Sequence, residues 1–117
     1  MVSTLTEEAV LEIGDNCGFS GTVVGAFTQI KIGNNVRCGA NTLITDSDWH
    51  PGDSRVNASK PVIIGDNVWL GINVVVLKGV EIGANTVIGA NSLVTKNIPA
   101  NVIAAGNPCK EIAKLRV

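Results

Sequence analysis

Aromatic residues are scarce in this sequence: it has two Phe, two Trp and no Tyr among 117 residues, although 45% of its residues are hydrophobic. A core must therefore be filled by Val, Ile, Leu and Ala, which suits thin and repetitive layers. The formal net charge is only −1, so the chain lacks the basic surface that holds a nucleic-acid backbone. We expect one domain, residues 1–117, with no nucleic-acid partner.

Long apolar runs are also absent, because no stretch approaches the roughly 20 apolar residues of a membrane span. The N-terminal residues lack the basic start and apolar run of a leader peptide. The cysteines Cys17, Cys38 and Cys109 are odd in number and have no metal-site spacing. These features predict a cytoplasmic, reducing environment, without membrane insertion, disulfides or a bound metal.

A six-residue repeat occupies most of the chain. From Ile64, six consecutive hexads follow without a gap: IGDNVW, LGINVV, VLKGVE, IGANTV, IGANSL and VTKNIP. The same register appears upstream, beginning at Ile13, in IGDNCG, FSGTVV, AFTQIK, IGNNVR and CGANTL, with one extra residue at Gly25. A period of six excludes an α-helix, whose apolar stripe repeats about every three to four residues.

Most hexads share a glycine at position two and an asparagine at position four. The glycines are Gly14, Gly33, Gly39, Gly65, Gly71, Gly83 and Gly89, and the asparagines are Asn16, Asn35, Asn41, Asn67, Asn73, Asn85 and Asn91. After glycine, Asn best tolerates a left-handed backbone, so these residues predict a corner in each hexad. Position one is mostly aliphatic and position five is small or β-branched, so both are expected to point inward.

Three flat sides of this kind close one triangular coil of about 18 residues, and stacked coils bury one another's apolar faces. The pattern therefore predicts an all-β fold, a parallel β-helix of about five coils. The alternative, a β-sandwich, would have strand and turn units every 8–12 residues or so instead of a strict hexad.

The hexads are interrupted at two places. Residues 45–61, TDSDWHPGDSRVNASKP, are rich in charged residues, Gly and Pro and predict a loop that leaves the solenoid. The domain then divides into a lead-in at 1–12, first hexads at 13–44, the extruded loop at 45–61, further hexads at 62–103 and a tail at 104–117. The last eight residues of the tail predict a short amphipathic helix with Ile112 and Leu115 facing inward.

The repeated aliphatic-G-x-N pattern, the loop with its histidine and the segments GDNVWLG, GANSLVTK and AAGNPCK together resemble the hexapeptide-repeat acyltransferases. Within them, the chain is most similar to the sugar O-acetyltransferase branch of galactoside and maltose acetyltransferases, over about residues 13–112. This resemblance implies a left-handed β-helix, acetyl-CoA as co-substrate, a sugar or glycan acceptor, and a homotrimer with active sites between subunits. Independently, Trp69 and Leu70 on aliphatic flanks predict an apolar patch that self-association would cover.

Acetyl transfer to a hydroxyl requires a base, and imidazole is the side chain best matched to neutral pH. His50 is the only histidine and lies in the loop where the family keeps its catalytic histidine. The resemblance therefore implies that His50 is the general base, with backbone N–H groups for the oxyanion. Asp46 and Asp48 are candidates to orient the imidazole. The alternative for His50 is a solvated loop residue.

The resemblance also implies a set of acetyl-CoA-binding residues: Trp69, Gly71, Ile72, Ala90, Thr95, Lys96 and Lys110. Small residues such as Gly71 and Ala90 would let a pantetheine chain lie close to the backbone, although both also fit as simple corner and core residues. Lys96 and Lys110 suit the phosphates of the nucleotide end.

Fewer residues are candidates for acceptor binding, and fewer observations support them. Asn16, Ser20 or Thr22 could contact the acceptor from the neighbouring subunit, and nothing in the spacing selects one. Trp49 fits equally well as a wall of the acceptor pocket and as a shield for the base of the loop. For Asp53 and Arg55, a surface ion pair that closes the loop is the favoured interpretation over acceptor contact.

Two other functions are compatible with the same fold. A γ-type carbonic anhydrase needs three histidines to hold zinc, whereas this chain has one. A non-catalytic solenoid scaffold would keep the hexads but would need neither His50 nor the VTK and NPCK segments. The sequence therefore favours an acetyl-CoA-dependent O-acetyltransferase, with a scaffold subunit as the alternative.

Overall fold

The computed structural model describes residues 1–115, and within them the fold is all β. No helix long and apolar enough to cross a membrane occurs in this part of the chain. The strands are β1 (Val2–Thr4), β2 (Val10–Ile13), β3 (Gly18–Phe19), β4 (Val23–Ala26), β5 (Gln29–Ile32), β6 (Arg37–Cys38), β7 (Leu43–Thr45), β8 (Val62–Ile64), β9 (Trp69–Leu70), β10 (Val75–Val76), β11 (Glu81–Ile82), β12 (Val87–Ile88), β13 (Leu93–Val94), β14 (Val102–Gly106) and β15 (Cys109–Lys114).

Every third strand joins the same sheet, which is the topology of a three-sided parallel solenoid. The first sheet has the order β1-β4-β7-β10-β13, the second β11-β8-β5-β2, and the third β15-β14-β12-β9-β6-β3. Asn67 and Asn85, at equivalent corners of successive coils, are 18 residues apart, the length of three hexads. The chain therefore makes five coils, which confirms the predicted parallel β-helix.

The core is a single column of aliphatic side chains along the solenoid axis. Position one contributes residues such as Ile64 and Leu70, and position five contributes Val68 and Val74, all no more than 1% exposed. Burial of this apolar surface is the main favourable term for a fold with so few aromatic residues. The two inward positions predicted for each hexad are confirmed over most of the chain.

The corners are built as the asparagines predicted. All seven hexad asparagines have φ between 57° and 65°, in the left-handed region. Their side chains also bond from coil to coil: the amide of Asn67 donates to Asn85 Oδ1 at 3.0 Å, and that of Asn85 donates to Asn101 Oδ1 at 2.8 Å. Asparagine therefore supplies both the backbone conformation and a hydrogen-bonded ladder along the corner.

The first coil departs from the predicted register at one corner. The hexad FSGTVV would place Val23 inward, but Val23 pairs with Leu43, while Thr22 and Val24 are the buried side chains. Gly21, at φ 61°, takes the corner position that Asn41 occupies one coil later, so this corner is one residue shorter than the others. A six-residue count therefore assigns the inward positions wrongly between Phe19 and Val24.

The predicted C-terminal helix is wrong. Residues 109–114 form β15, which pairs antiparallel with β14 and caps the third sheet. Ile112, expected to face inward, is 66% exposed, and Leu115 is half-buried. The reason is tertiary: β14 ends the solenoid with unpaired backbone groups, and a returning strand satisfies them where a helix would not. The last two residues of the predicted helix, 116 and 117, lie outside the described residues.

Coil stacking leaves no room for a side chain at the position-two glycines. A Cβ atom added at Gly65 would lie 2.7 Å from Ala84 N, whereas one at Gly18 would meet only the flexible Arg37 side chain, at 3.2 Å from Cδ. We predict that Gly65→Ala lowers the free energy of unfolding by about 2–3 kcal/mol, because backbone must shift. The matched variant Gly18→Ala should cost less than about 1 kcal/mol. Denaturant unfolding at one protein concentration measures both, and equal losses would contradict this account.

Candidate active site

The extruded loop begins at a carboxylate that is fully buried. Asp46 accepts hydrogen bonds from the backbone N–H groups of Phe27, Thr28 and Gln29, each at 2.8 Å. These three amides lie at the turn between β4 and β5, one coil earlier in the solenoid. A carboxylate that accepts several amide N–H bonds is a strong anchor, so Asp46 fixes the start of the loop on the second coil.

Trp49 closes the base of the loop over this anchor. Its indole N–H donates to Thr45 Oγ1 at 2.7 Å, and its ring meets Phe27 edge-to-face with centroids 5.2 Å apart. A Cβ atom at Gly25 would lie 2.7 Å from the indole ring, so the extra residue of the repeat must be glycine here. Of the two roles predicted for Trp49, the geometry supports shielding the loop base.

A second carboxylate ties the loop to the fourth coil. Asp48 Oδ2 accepts a hydrogen bond from Lys78 Nζ, at the turn between β10 and β11. The returning end of the loop is held nearby, because Lys60 N donates to Asp46 O at 3.0 Å and Gly79 N donates to Lys60 O at 3.2 Å. The loop is thus fastened at both ends to the corner between the first and second sheets.

His50 follows these anchors directly and is exposed to solvent. Its backbone carbonyl accepts a hydrogen bond from Asp53 N at 3.2 Å, and among residues 1–115 no side chain is hydrogen-bonded to the imidazole. Neither Asp46 nor Asp48 is hydrogen-bonded to the ring: backbone amides engage the first carboxylate and Lys78 engages the second. Both carboxylates hold the segment that precedes His50, and a direct orienting role stays a prediction.

The tip of the loop is closed by an ion pair, as favoured from the sequence. Arg55 Nη2 lies 2.7 Å from Asp53 Oδ2, and Arg55 Nε donates to Asp53 Oδ1 at 3.0 Å. Hydrogen bonds from the Arg55 side chain and backbone N–H lower the pKa of the Asp53 carboxyl. Both groups are at the surface, where such pairs contribute little to stability.

A second group of predicted residues lies at another corner, between the third and first sheets. Trp69 and Ile72 are 59% and 52% exposed, and Gly71 and Ala90 stack on each other between them. A Cβ atom at Gly71 would lie 2.8 Å from Ala90 N, so coil stacking alone requires glycine there. Beside them, Trp69 and Ser20 line an open groove of about 450 Å³ with Arg37 and Gly39.

The remaining predicted binding residues divide between the two corners. Thr95 and Lys96 are exposed and follow β13, at the corner that carries the loop. Lys110 is on β15, paired with Ala105, and Ala105 packs on Gly89 beside Ala90. One chain therefore does not bring all seven acetyl-CoA candidates together. One flat side of the solenoid, which contains β10, separates the two corners.

Two acceptor candidates have structural roles instead. The Asn16 amide donates to Asn35 Oδ1 at 2.8 Å, and Asn16 is in the left-handed conformation of the corner ladder. Thr22 is buried, only 4% exposed, and Val23 beside it continues the first sheet. Ser20 is the exposed member of the set and the one that lines the groove beside Trp69.

Two of the three cysteines, Cys38 and Cys109, are buried and poorly suited to act as nucleophiles. Cys38 belongs to the core and is 4% exposed, and burial together with the neighbouring Cys17 raises its pKa to about 12. Desolvation also raises the pKa of Cys109, against a smaller opposing effect of a hydrogen bond with Ser92. Among residues 1–115, no three His, Cys, Asp or Glu side chains lie close enough together to hold a metal ion.

Sequence reasoning missed the partners of the loop, Phe27 and Lys78. One signal for Lys78 is present in the repeat: position three carries lysine in VLKGVE and VTKNIP, the hexads that begin on the first sheet and pass the loop corner. In the seven hexads with glycine at position two, the position-three residues are Asp, Asn, Ala or Ile. Phe27 has no comparable signal, since it stands at a position where the other repeats mostly have glycine.

Comparisons with known proteins agree with this geometry. Residues 61–96 match the family described as bacterial transferase hexapeptide (six repeats). A galactoside O-acetyltransferase of Escherichia coli K12 is 44% identical over 112 residues, covering 90% of this chain and 54% of the relative. The chain spans about half the length of the curated relatives it matches.

Solved structures share the whole solenoid. A maltose O-acetyltransferase from Clostridium difficile 630 superposes with a TM-score of 0.71 at 33% identity, covering 94% of this chain and 71% of that one. A hexapeptide-repeat acetyltransferase from Vibrio cholerae, complexed with acetyl coenzyme A, superposes with a TM-score of 0.82 at 33% identity, covering 92% of this chain and 61% of that one. The chain belongs to the hexapeptide-repeat transferase family.

The Asp46 anchor can be tested by stability. We predict that Asp46→Asn lowers the free energy of unfolding by about 2–3 kcal/mol, because an amide NH2 would then face backbone N–H groups in a buried site. The matched variant is Asp15→Asn on an exposed corner of the first coil, which should change stability by less than about 0.5 kcal/mol. Denaturant unfolding measures both. Equal stability of Asp46→Asn and the parent would contradict the anchoring role.

Proposed function

We propose that this protein is an acetyl-CoA-dependent O-acetyltransferase that acts on a hydroxyl of a sugar or glycan-type acceptor, with His50 as general base. The observation that carries the proposal is the placement of the single histidine on a loop that is fastened to the solenoid by the buried Asp46 carboxylate and by the ion pair of Asp48 with Lys78. Relatives named galactoside O-acetyltransferase, at 44% and 53% identity, support both the reaction and the acceptor class.

The proposed reaction is a direct transfer in a ternary complex. The His50 imidazole takes the proton of the acceptor hydroxyl as its oxygen attacks the thioester carbonyl of acetyl-CoA, and backbone N–H groups stabilise the oxyanion. The carbon–sulfur bond then breaks, and the CoA sulfur takes the proton back from the imidazole. The products are the acetyl ester and free CoA, with no covalent enzyme intermediate. The high pKa of the buried Cys38 thiol is consistent with this route.

Acetyl-CoA is proposed to bind along the corner formed by Trp69, Gly71, Ile72 and Ala90. The exposed Trp69 and Ile72 side chains offer apolar contact. The stacked Gly71 and Ala90 carry no large side chain, so a pantetheine chain could lie close to the backbone there. Exposed lysines at 96 and 110, with Thr95, would meet the phosphates. Ser20, in the groove beside Trp69, is the acceptor-site candidate that the geometry favours.

The active site is proposed to form between the subunits of a homotrimer. In one chain, the loop with His50 leaves the first sheet at the C-terminal ends of its strands, whereas the Trp69 corner lies at their N-terminal ends. Packing of solenoids side by side would bring the loop of one chain to the Trp69 corner of the next, and would cover the exposed Trp69 and Ile72 side chains. Three free cysteines fit action in the reducing cytoplasm.

Binding of acetyl-CoA gives the first prediction from this proposal. Isothermal titration calorimetry of the assembled protein should show one site per chain. Lys110→Ala should weaken binding roughly fivefold, about 1 kcal/mol, by removing a phosphate contact. Lys31→Ala, on an exposed position of β5 in the second sheet, serves as the matched control and should leave affinity unchanged. Absence of saturable binding in a folded assembly would contradict the proposed function and favour a scaffold.

Removal of the base gives the second prediction. We expect His50→Ala to lower kcat by 10²-fold or more, about what a general base supplies, with the affinity for acetyl-CoA retained. Release of free thiol, with maltose or methyl β-galactoside as acceptor, measures the rate. Asn57→Ala, in the same loop and exposed, is the control. Unchanged turnover in His50→Ala would overturn the assignment of the base.

A further inference from the structure

Lys78 belongs to none of the catalytic, acetyl-CoA or acceptor sets proposed above, yet it binds the loop two residues before the proposed base. Its ammonium group pairs with Asp48, which precedes His50 by two residues and is 30 residues away from Lys78 along the chain. The side chain of Lys78 is 18% exposed and that of Asp48 42% exposed, so the pair is partly shielded from water. Such pairs are screened less than those at the open surface.

The backbone between the ion pair and His50 leaves little freedom. The one residue between them, Trp49, is in the left-handed conformation at φ 71° and is packed against Phe27. The Trp49 backbone N–H is also bound, to Ser47 Oγ at 3.1 Å. The direction in which His50 leaves the solenoid therefore depends on where Asp48 and Trp49 are held.

The same corner contains other charged groups, and one of them makes a natural comparison. Lys60 packs its alkyl chain over Gly79, next to Lys78, but has no ion pair among residues 1–115. Lys96 is exposed at the next turn of the corner. The Asp46 carboxylate is engaged by three backbone amides of the second coil. Of the lysines in this corner, Lys78 is therefore the one whose ammonium group is bonded to a carboxylate of the loop.

We propose that Lys78 is a positioning residue of the active site: through its ion pair with Asp48 it holds the His50 segment of the loop on the fourth coil. This role rests on the proposed function, in which His50 is the base. A base displaced by about 1 Å can lose much of its rate, because proton transfer requires hydrogen-bonding distance to the acceptor hydroxyl. Lys78 acts on turnover without touching substrate.

The test compares Lys78→Met, which keeps the alkyl chain and removes the charge, with Lys60→Met as the matched control. In the full-length protein, with acetyl-CoA and maltose or methyl β-galactoside, Lys78→Met should lower kcat about tenfold or more. The KM for acetyl-CoA should stay within about twofold of the parent value, because Lys78 is engaged by Asp48 and is proposed to position the base without contacting the co-substrate. Lys60→Met should match the parent, and Lys78→Arg should restore most of the rate.

A second readout needs no turnover. Because His50 is the only histidine, its imidazole C–H signals in an NMR spectrum are assigned without ambiguity. The signals of Lys78→Met should move toward those of free histidine, whereas those of Lys60→Met should coincide with the parent. If the parent protein transfers no acetyl group, the proposed function fails, yet these signals still decide whether Lys78 positions His50.

Asp48→Asn removes the same pair from the side of the loop and guards against misfolding of Lys78→Met. Asp48→Asn and the double variant Asp48→Asn/Lys78→Met should each show the same loss of kcat and the same shift of the His50 signals as Lys78→Met alone. The reason is that all three variants lack the same interaction, the ion pair between Asp48 and Lys78. Identical behaviour of Lys78→Met and Lys60→Met in both readouts would overturn the proposal. Independent, additive losses from Asp48→Asn and Lys78→Met would overturn it as well.

Discussion

The stacking of one coil directly on the next is the constraint on which the rest of this structure depends. At the corners, backbone of one coil approaches the glycine of the next so closely that a Cβ atom at Gly39 would lie 2.8 Å from Ile72 N. At the same corner one coil later, Asn73 turns the chain in a left-handed conformation, and its side-chain amide donates to Asn91 Oδ1 in the next coil. Close stacking allows the coils to form parallel hydrogen bonding in all three sheets, up to the antiparallel β15, and the aliphatic column fills the interior without large aromatic residues.

The parts of the fold that repeat could be predicted from the sequence, because each hexad faces the same neighbours as the last. Inward positions such as Ile64 and Val68, and left-handed corners such as Asn67, follow from that periodicity. Departures from the repeat are decided by neighbours that no local pattern shows. Gly21 takes the left-handed conformation at a corner that is one residue short. Ile112 and Leu115 have helical spacing, but their segment forms a strand because it pairs with the free edge of β14.

In the candidate site, too, some features could be predicted from the sequence and others could not. The break in the hexads predicted the loop, and chemistry together with family resemblance selected His50. The functions of the acidic residues could not be predicted, since Asp46 and Asp48 bond to groups 17 to 30 residues away in the chain. Sequence proximity suggested that they orient the imidazole, whereas the structure uses both to fasten the backbone. For Gly71, neither the sequence nor the packing separates a structural role from a binding role, because stacking requires a glycine whether or not a ligand lies beside it.

The loop is accommodated without any change in the coils around it. Residues at equivalent corners on either side of it are 32 positions apart instead of 18, yet they align in all three sheets as if the additional 14 residues were absent. The coil register is therefore independent of the length of this segment, because both of its ends are fastened at one corner of the stack. A residue added within the segment would leave the pairing of all three sheets unchanged, whereas a residue added to or removed from a hexad must be absorbed at a corner, as Gly21 shows.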